Sequence, residues 1–536
     1  MELNHQNEYI FRSEFPDIDI PNHLSIHEYC FQNISEHGCR PAIINGTTGD
    51  VFTYAAVELA ARRVAVGLHE LGIRKGDVIM LLLRNTPEFA FAFLAASYIG
   101  ATVTTANPLY TAAEITNQAR ISETKLIITA ACYVQKVNRF ASDLGAKIVT
   151  IDFPPSPNFT EFSELMKSDE KLLPEVEIDA DDTAAMLFSS GTTGLPKAVM
   201  LSHINIVTCI SQQVDGENPA VHTEPHDLSV CVLPLFHCYA LVSVLLVSLR
   251  VGAAVLILPK FEVNELMELM QKYRVTLASF VPPILLAIAK IPAAAFNYDL
   301  SSVRRVSSGA APLDDRLEAS TRAKFPNAIV GQAYGTTEAL VLTSCPGYAK
   351  IPKKSKPGSC GAVVRNSLMK IVDPVTGVSL PRNHAGEICA KADSIMKGYY
   401  KDAEATRRAI DDGGWLHTGD IGYIDDDGHV FIVDRLKELI KYKGFQVAPA
   451  ELEALLISHP SVSEAAVVPM KDESAGEVPV AFVVRADGCN VSEHEIIRFI
   501  ADQVAPYKRI HRVVFIEHIP KAPSGKILRK NLRSKI

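Results

Sequence analysis

The sequence predicts an α/β protein: a large N-terminal domain built on doubly wound, mainly parallel sheets, and a small α+β C-terminal lid. Three observations carry that reading. Short apolar runs alternate with segments of helical apolar spacing along most of the chain. A charged stretch, Asp434-Arg435-Leu436-Lys437-Glu438, breaks the alternation near its end. At 536 residues the chain also exceeds the size at which a single core usually stops growing.

Residues 53–71 place Ala56, Leu59, Ala60, Val64 and Leu68 on one helical face, and the apolar run at 78–83 follows as a buried strand. A second helix pattern covers 88–99, and further strand patterns stand at 125–129 and 253–258. Strands that alternate with helices pair in parallel, which is the basis for the doubly wound sheets. The run 240–258 is the most membrane-like, but Arg250, Gly252 and two serines interrupt it, so it reads as a buried helix followed by a buried strand. Residues 430–433 form a strand pattern before the charged stretch, and we place the domain boundary there, giving 1–434 and 435–536 with a hinge near 434–437. Beyond it, Pro449 opens a helix with Leu452, Leu455 and Leu456 on one face, followed by strands at 465–468 and 480–484.

Apolar residues make up 48% and charged residues 21%, the profile of a globular enzyme rather than a disordered chain. The net charge of −8 and the lack of a dense Lys/Arg run argue against a nucleic-acid partner. A bound polyanion must then be held by local lysines such as Lys441, Lys443 and Lys526. Ten cysteines are scattered from Cys30 to Cys489 with no Cys-x-x-Cys pair and no zinc spacing, so buried, reduced thiols are expected. The polar N-terminus lacks a secretory core, and no segment reads as a membrane span; a cytoplasmic monomer is expected. Ser534-Lys535-Ile536 is one conservative change from the peroxisomal Ser-Lys-Leu address, which leaves a peroxisomal location as the alternative.

Three stretches far apart carry the chemistry: Ser189-Ser190-Gly191-Thr192-Thr193-Gly194-Leu195-Pro196-Lys197, Tyr334-Gly335-Thr336-Thr337-Glu338, and Pro523-Ser524-Gly525-Lys526. In the first, hydroxyls and glycines let backbone N–H groups approach phosphate oxygens while Lys197 adds positive charge. The P-loop of nucleotide hydrolases is excluded, because Pro196 precedes the lysine and Ala198 follows it. Taken alone such a loop is usually a surface turn; the other two stretches make it a phosphate cradle for ATP.

These stretches resemble the adenylate-forming enzymes, a family that includes acyl-CoA synthetases, peptide-synthetase adenylation domains and beetle luciferases. Gln212-Gln213-Val214-Asp215-Gly216-Glu217-Asn218-Pro219, Leu439 through Glu451, and Lys521 through Lys530 are similar to plant 4-coumarate:CoA ligases, and the match runs nearly end to end. The resemblance implies a small β-barrel-like part in the large domain and a mobile lid. It also implies a two-step reaction with ATP, Mg²⁺ and coenzyme A: the acid displaces pyrophosphate to give acyl-AMP, and the CoA thiol then displaces AMP.

Roles carry over position by position as implications of that resemblance. Ser189, Ser190, Gly191, Thr192, Thr193 and Lys197 correspond to the phosphate loop, and Glu338 to the Mg²⁺-associated carboxylate. Tyr334 would stack on adenine, Ala310 and Gln332 would line the nucleotide pocket, and Thr337 would contact phosphate. Asp420 would hold the ribose, assisted by Arg435, and Lys437 would belong to the nucleotide-binding set. Lys526, on a permissive backbone after Gly525, would neutralise charge in adenylation. Lys441 and Gln446 match catalytic positions, Lys441 and Lys526 also touching nucleotide, and His237 would sit beside the substrate carboxylate. Lys260, Lys443 and Gly444 match CoA contacts. The acid pocket would comprise Tyr239, Ser243, Ala310, Ala333, Val341 and Ser344.

The chain departs from the ligase pattern at Ala198, at Ala333 with Thr336, and at Ala390-Lys391-Ala392. After Glu338 it reads Ala339-Leu340-Val341-Leu342, one residue shorter, and Cys238 and Val242 make the ring-facing wall less polar. The expectation is a ligase for hydroxycinnamic or related arylpropenoic acids, favouring larger, methoxylated or methylenedioxy-substituted rings. The alternatives are a ligase for fatty or jasmonate-precursor acids and, as a different reaction class, a luciferase-like oxygenase. A non-catalytic adenylate-binding protein is disfavoured by Glu338, Lys441 and Lys526.

Overall fold

Two mainly parallel sheets and the helices between them form the body of the large domain. The computed structural model describes residues 8–153, 159–189, 196–292, 295–442, 445–472, 475–504, 506–521 and 527–536, and the backbone of 2–3; at 437, 441, 445 and 446 it describes the backbone alone. The first sheet runs from Gly398–Tyr399 through Lys197–Ser202, Thr183–Ser189, Thr102–Thr105, Val78–Leu82, Thr124–Thr129 and Lys147–Thr150 to Thr160–Glu161. The second runs from Ile329–Gln332 through Arg305–Ser308, Leu277–Phe280, Leu228–Cys231, Ala254–Ile257 and Pro41–Asn45 to Val51–Thr53.

Local sequence accounts for these elements. Every residue of Val78–Leu82 is buried, as a strand covered on both faces requires. The helix Tyr54–Glu70 begins where the Thr53 hydroxyl accepts the Ala56 N–H at 3.2 Å. The helix Pro87–Tyr98 is apolar on all sides and touches strands of both sheets, so it lies in the core between them. The run after His237 is helical and then β, as its composition predicts, but its first part, Tyr239–Leu246, is wound as a π-helix before Val247–Val251 and the strand Ala254–Ile257. Such wide turns concentrate at functional sites, and this one carries Tyr239 and Ser243. Among the described residues no helix is long and apolar enough to cross a membrane.

An antiparallel sheet stands where the barrel-like part is expected: Tyr9–Arg12, Ser367–Val372, Gly386–Ala392, Leu416–Ile424 and Val430–Arg435, in that order. The hairpin Tyr334–Thr336 and Leu340–Ser344 lies beside it. Downstream, Ile440–Tyr442, Phe445–Val447, Val462–Asp472, Gly476–Arg485 and Arg512–Phe515 form a separate sheet packed by Pro449–Ser458 and Glu493–Ala501. This smaller domain has its own core around Leu452, Leu456, Val467 and Ile496.

Two histidines, His203 buried and His27 partly buried, couple the large domain to pH. The Nδ1 of His203 accepts the Ile26 N–H at 3.2 Å, and His27 stacks on Tyr98 with ring centroids 3.9 Å apart. Burial lowers both from 6.5 to about 4, so the fold favours the neutral rings. The unfolded chain therefore binds more protons between those values. Stability is expected to be complete above pH 6.5 and to fall by on the order of 3 kcal/mol per histidine, about 6 kcal/mol for the pair, as pH drops toward 4, measured by urea unfolding at several pH values.

Candidate active site

One cavity of about 970 Å³ opens where the end of Thr183–Ser189, the loop of the 334–344 hairpin, Gly398–Tyr399 and the strand Leu416–Ile424 converge. Its polar wall is built around Glu338. The Oε1 atom of Glu338 accepts the Ser189 hydroxyl at 2.6 Å and the Tyr399 hydroxyl at 3.0 Å. Lys197 Nζ stands 4.9 Å from the centre of the Tyr399 ring. Strand pairing explains the convergence, since Ser189 lies opposite Lys197 and Val199 opposite Tyr399. Sequence reasoning did not find Tyr399: it sits in no motif, and only the pairing of distant strands brings it to Glu338.

A second polar group lies around Asp420. The Tyr334 hydroxyl donates to Asp420 Oδ2 at 2.7 Å, and Arg435 Nε lies 3.1 Å from Oδ1. Asp420 and Arg435 face each other across antiparallel strands, which fixes that ion pair from the backbone. Burial and the adjacent Asp420 charge hold the Tyr334 phenol well above its ordinary value, so it remains a hydrogen-bond donor. The turn before Asp420 is held by Glu387, which accepts the Gly419 N–H at 3.1 Å and contacts His417 Nδ1 at 2.9 Å. Contacts with Cys389 and Glu387 push His417 up to about 10 and keep it cationic.

The rest of the cavity is less polar. His237 lines it with its ring open to the cavity, and desolvation by the surrounding walls lowers its pKa to about 4, which favours the neutral imidazole at physiological pH. Tyr239, Ser243, Ala310, Ala333, Val341 and Ser344 line the same space, as does Thr337. Ala310 has φ +66° and Leu340 φ +57°, left-handed conformations that side-chain-bearing residues adopt at a cost of about 1–3 kcal/mol. Both belong to the cavity wall. The replacements Cys238 and Val242 also line it. The expected loss of polarity is nevertheless offset, because Ser279, Ser307 and Arg305 form a polar floor that the sequence did not announce.

Two site candidates stand apart. Gln332 is buried with both ends of its amide on Leu313, accepting its N–H at 2.9 Å and donating to its carbonyl at 3.3 Å; it shapes the 310–313 turn rather than lining the cavity. Lys260 is exposed beyond the strand Ala254–Ile257 and does not line the cavity. Ser190, Gly191, Thr192, Thr193, Lys443, Gly444 and Lys526, and the side chains of Lys437, Lys441 and Gln446, lie outside the described residues.

Known proteins share this arrangement end to end. The AMP-binding enzyme family model matches residues 30–400, and the AMP-binding enzyme C-terminal domain model matches 451–526. A 4-coumarate–CoA ligase of Humulus lupulus is 60% identical over 536 residues, covering 99% of this chain and 98% of its own. One from Vanilla planifolia is 61% identical, over 99% of this chain and 97% of its own. The crystal structure of ATP-bound MatB from Rhodopseudomonas palustris superposes with a TM-score of 0.87 at 28% identity, covering 96% of this chain and 99% of that one. The chain belongs to the AMP-binding enzymes and, within them, to the family of plant 4-coumarate–CoA ligases.

Proposed function

We propose that the protein joins a hydroxycinnamic or related arylpropenoic acid to coenzyme A, using ATP and passing through an acyl-AMP. The observation that carries this reading is the single cavity that holds both a phosphate-facing group, Glu338 with Ser189 and Lys197, and a pocket of aromatic size bounded by Tyr239, Ala333 and Val341. A free carboxylate resists attack by a thiol. Transfer of AMP to it removes the negative charge and supplies a leaving group.

The residues present divide the work. Asp420, fixed by Tyr334 and Arg435, offers carboxylate oxygens suited to paired ribose hydroxyls. Lys197 is a local cation for phosphate in a chain of net charge −8. Neutral His237 can donate one N–H to the acid without adding a charge that would bind it too firmly in the ground state. Glu338 and the hydroxyls around it form an all-oxygen group of the kind Mg²⁺ takes, and an ion held there would supply positive charge to offset that of the phosphates. Lys526, Lys441 and Gln446 as catalytic groups, and Lys260, Lys443 and Gly444 as CoA contacts, rest on the motifs that contain them.

The hinge at 434–437 belongs to the same proposal. It is supported by the strand pairing, since Val430–Arg435 still pairs within the antiparallel sheet of the large domain, whereas Ile440–Tyr442 pairs in the smaller sheet. Asp434 at its start is buried and accepts the N–H groups of Arg435 and Ala450, tying both sides to one carboxylate.

The test is ATP- and CoA-dependent thioester formation across coumarate, caffeate, ferulate, sinapate, methylenedioxycinnamate, piperate, cinnamate and a medium-chain fatty acid, with Lys526→Ala as control. Aryl thioesters that disappear in the variant support the proposal. Activity on the fatty acid alone would remove the arylpropenoic assignment, and no thioester with any acid would remove the ligase.

A further inference from the structure

The floor of the cavity carries a buried cation. Arg305–Ser308 is the second strand from one edge of the second sheet, between Ile329–Gln332 and Leu277–Phe280, with Arg305 and Ser307 on one face by strand alternation. Ser279 on the neighbouring strand pairs with Ser307 and shares that face. All three line the cavity, and the Tyr239 hydroxyl donates to Ser307 Oγ at 3.3 Å.

Arg305 is only 8% exposed. Its Nη1 donates to the His222 carbonyl at 3.0 Å, and both Nη atoms lie 3.3 Å from Thr223 Oγ1. The Tyr348 ring centre is 5.7 Å from the guanidinium carbon. Among the described residues no carboxylate forms an ion pair with Arg305. Asp227 is engaged by the adjacent Arg304, whose Nε reaches Oδ1 at 2.8 Å. Burial and the charge of Arg304 lower Arg305 to about 10, which leaves it protonated at neutral pH.

A buried guanidinium has five donors and no acceptor, and it loses most when an apolar group displaces the remaining water without supplying a hydrogen bond. An alkyl chain end or an unsubstituted phenyl ring seated against Arg305 would do that. A ring oxygen would not. We propose that Arg305 is a specificity-determining residue that selects acids bearing a hydrogen-bond-accepting oxygen at the end of the acyl group remote from the carboxylate: a phenolic, methoxy or methylenedioxy oxygen of an arylpropenoic acid. The inference rests on the ligase reading above. The selection works mainly by rejecting acids that offer the cation no acceptor beyond His222 and Thr223, a stronger discriminator than apolar fit.

The experiment compares kcat/KM of the full-length enzyme for acids matched except at the ring oxygens: cinnamate, 4-hydroxycinnamate and 3,4-methylenedioxycinnamate, with octanoate as the alkyl case. The wild-type protein is expected to favour the oxygenated acids by about tenfold or more. In Arg305→Met the preference collapses toward one, chiefly through a lower KM for cinnamate and octanoate, while the KM values for ATP and CoA stay unchanged. Arg305→Lys retains part of the preference. A wild-type enzyme indifferent to the ring oxygens would overturn the proposal, as would a folded Arg305→Met enzyme with the wild-type ratio, since Arg305 would then only brace the 222–223 segment. Should Arg305→Met not fold, the wild-type ratio and Arg305→Lys decide. Thioesters formed without regard to ring oxygen reject this inference alone; no thioester at all rejects it together with the ligase reading.

Discussion

Replacing Glu338 with glutamine is expected to slow acyl-adenylate formation by about a hundredfold or more, with little change in stability. The amide oxygen of glutamine can still accept the hydroxyls of Ser189 and Tyr399, so both hydrogen bonds made by the Glu338 side chain survive. Only the charge is lost. ATP–pyrophosphate exchange measures the adenylation step directly, and the Mg²⁺ concentration giving half-maximal rate is expected to rise with the loss of that charge. A fall of less than about threefold, with unchanged Mg²⁺ dependence, would reduce Glu338 to a structural tie.

Gly335→Ala is expected to fail in the opposite manner, through the fold. A Cβ at Gly335 would lie 1.8 Å from the Leu340 carbonyl oxygen and 3.2 Å from the Val341 Cα, so the obstruction is backbone that cannot rotate aside. The two strands of the hairpin must separate, at a cost of about 3 kcal/mol. Separation would pull Tyr334 from Asp420 and Glu338 from Ser189 together, because both sit on this hairpin. Urea unfolding should give a lower midpoint and thioester formation should fall below detection. A variant of normal stability and normal activity would mean that the close approach is relieved without disturbing the site.

Periodicity made the body of the fold legible. The helical pattern at 53–71 became Tyr54–Glu70, the apolar run at 78–83 became Val78–Leu82, and the helix at Pro449 became Pro449–Ser458, because each buries a face whose spacing is written locally. The π-helix at Tyr239–Leu246 was not legible, since its residues are apolar on every side and the register of backbone hydrogen bonds leaves no trace in such a run. The site divides in the same way. Ser189, Lys197, Tyr334, Glu338 and Asp420 stand in motifs of characteristic composition, and the structure brings them to one cavity or its edge. Tyr399 and Arg305 stand in ordinary strands. A tyrosine after Lys-Gly and an arginine in Arg-Arg-Val look like surface residues until strand pairing, with a distant strand for Tyr399 and with the neighbouring strands 277–280 and 329–332 for Arg305, turns them inward.

The pairing of Val199 with Tyr399 also sets a timetable for biosynthesis. Lys197–Ser202 forms the penultimate strand of its sheet, and its outer edge is covered by residues made about two hundred positions later. At about 5–20 residues per second the ribosome needs roughly 10–40 s to supply them. During that interval the strand presents unpaired N–H and C=O groups, the template on which nascent chains associate. The same tyrosine that later donates to Glu338 closes this edge, so the exposure of this strand ends as the Tyr399 side of the catalytic wall is put in place.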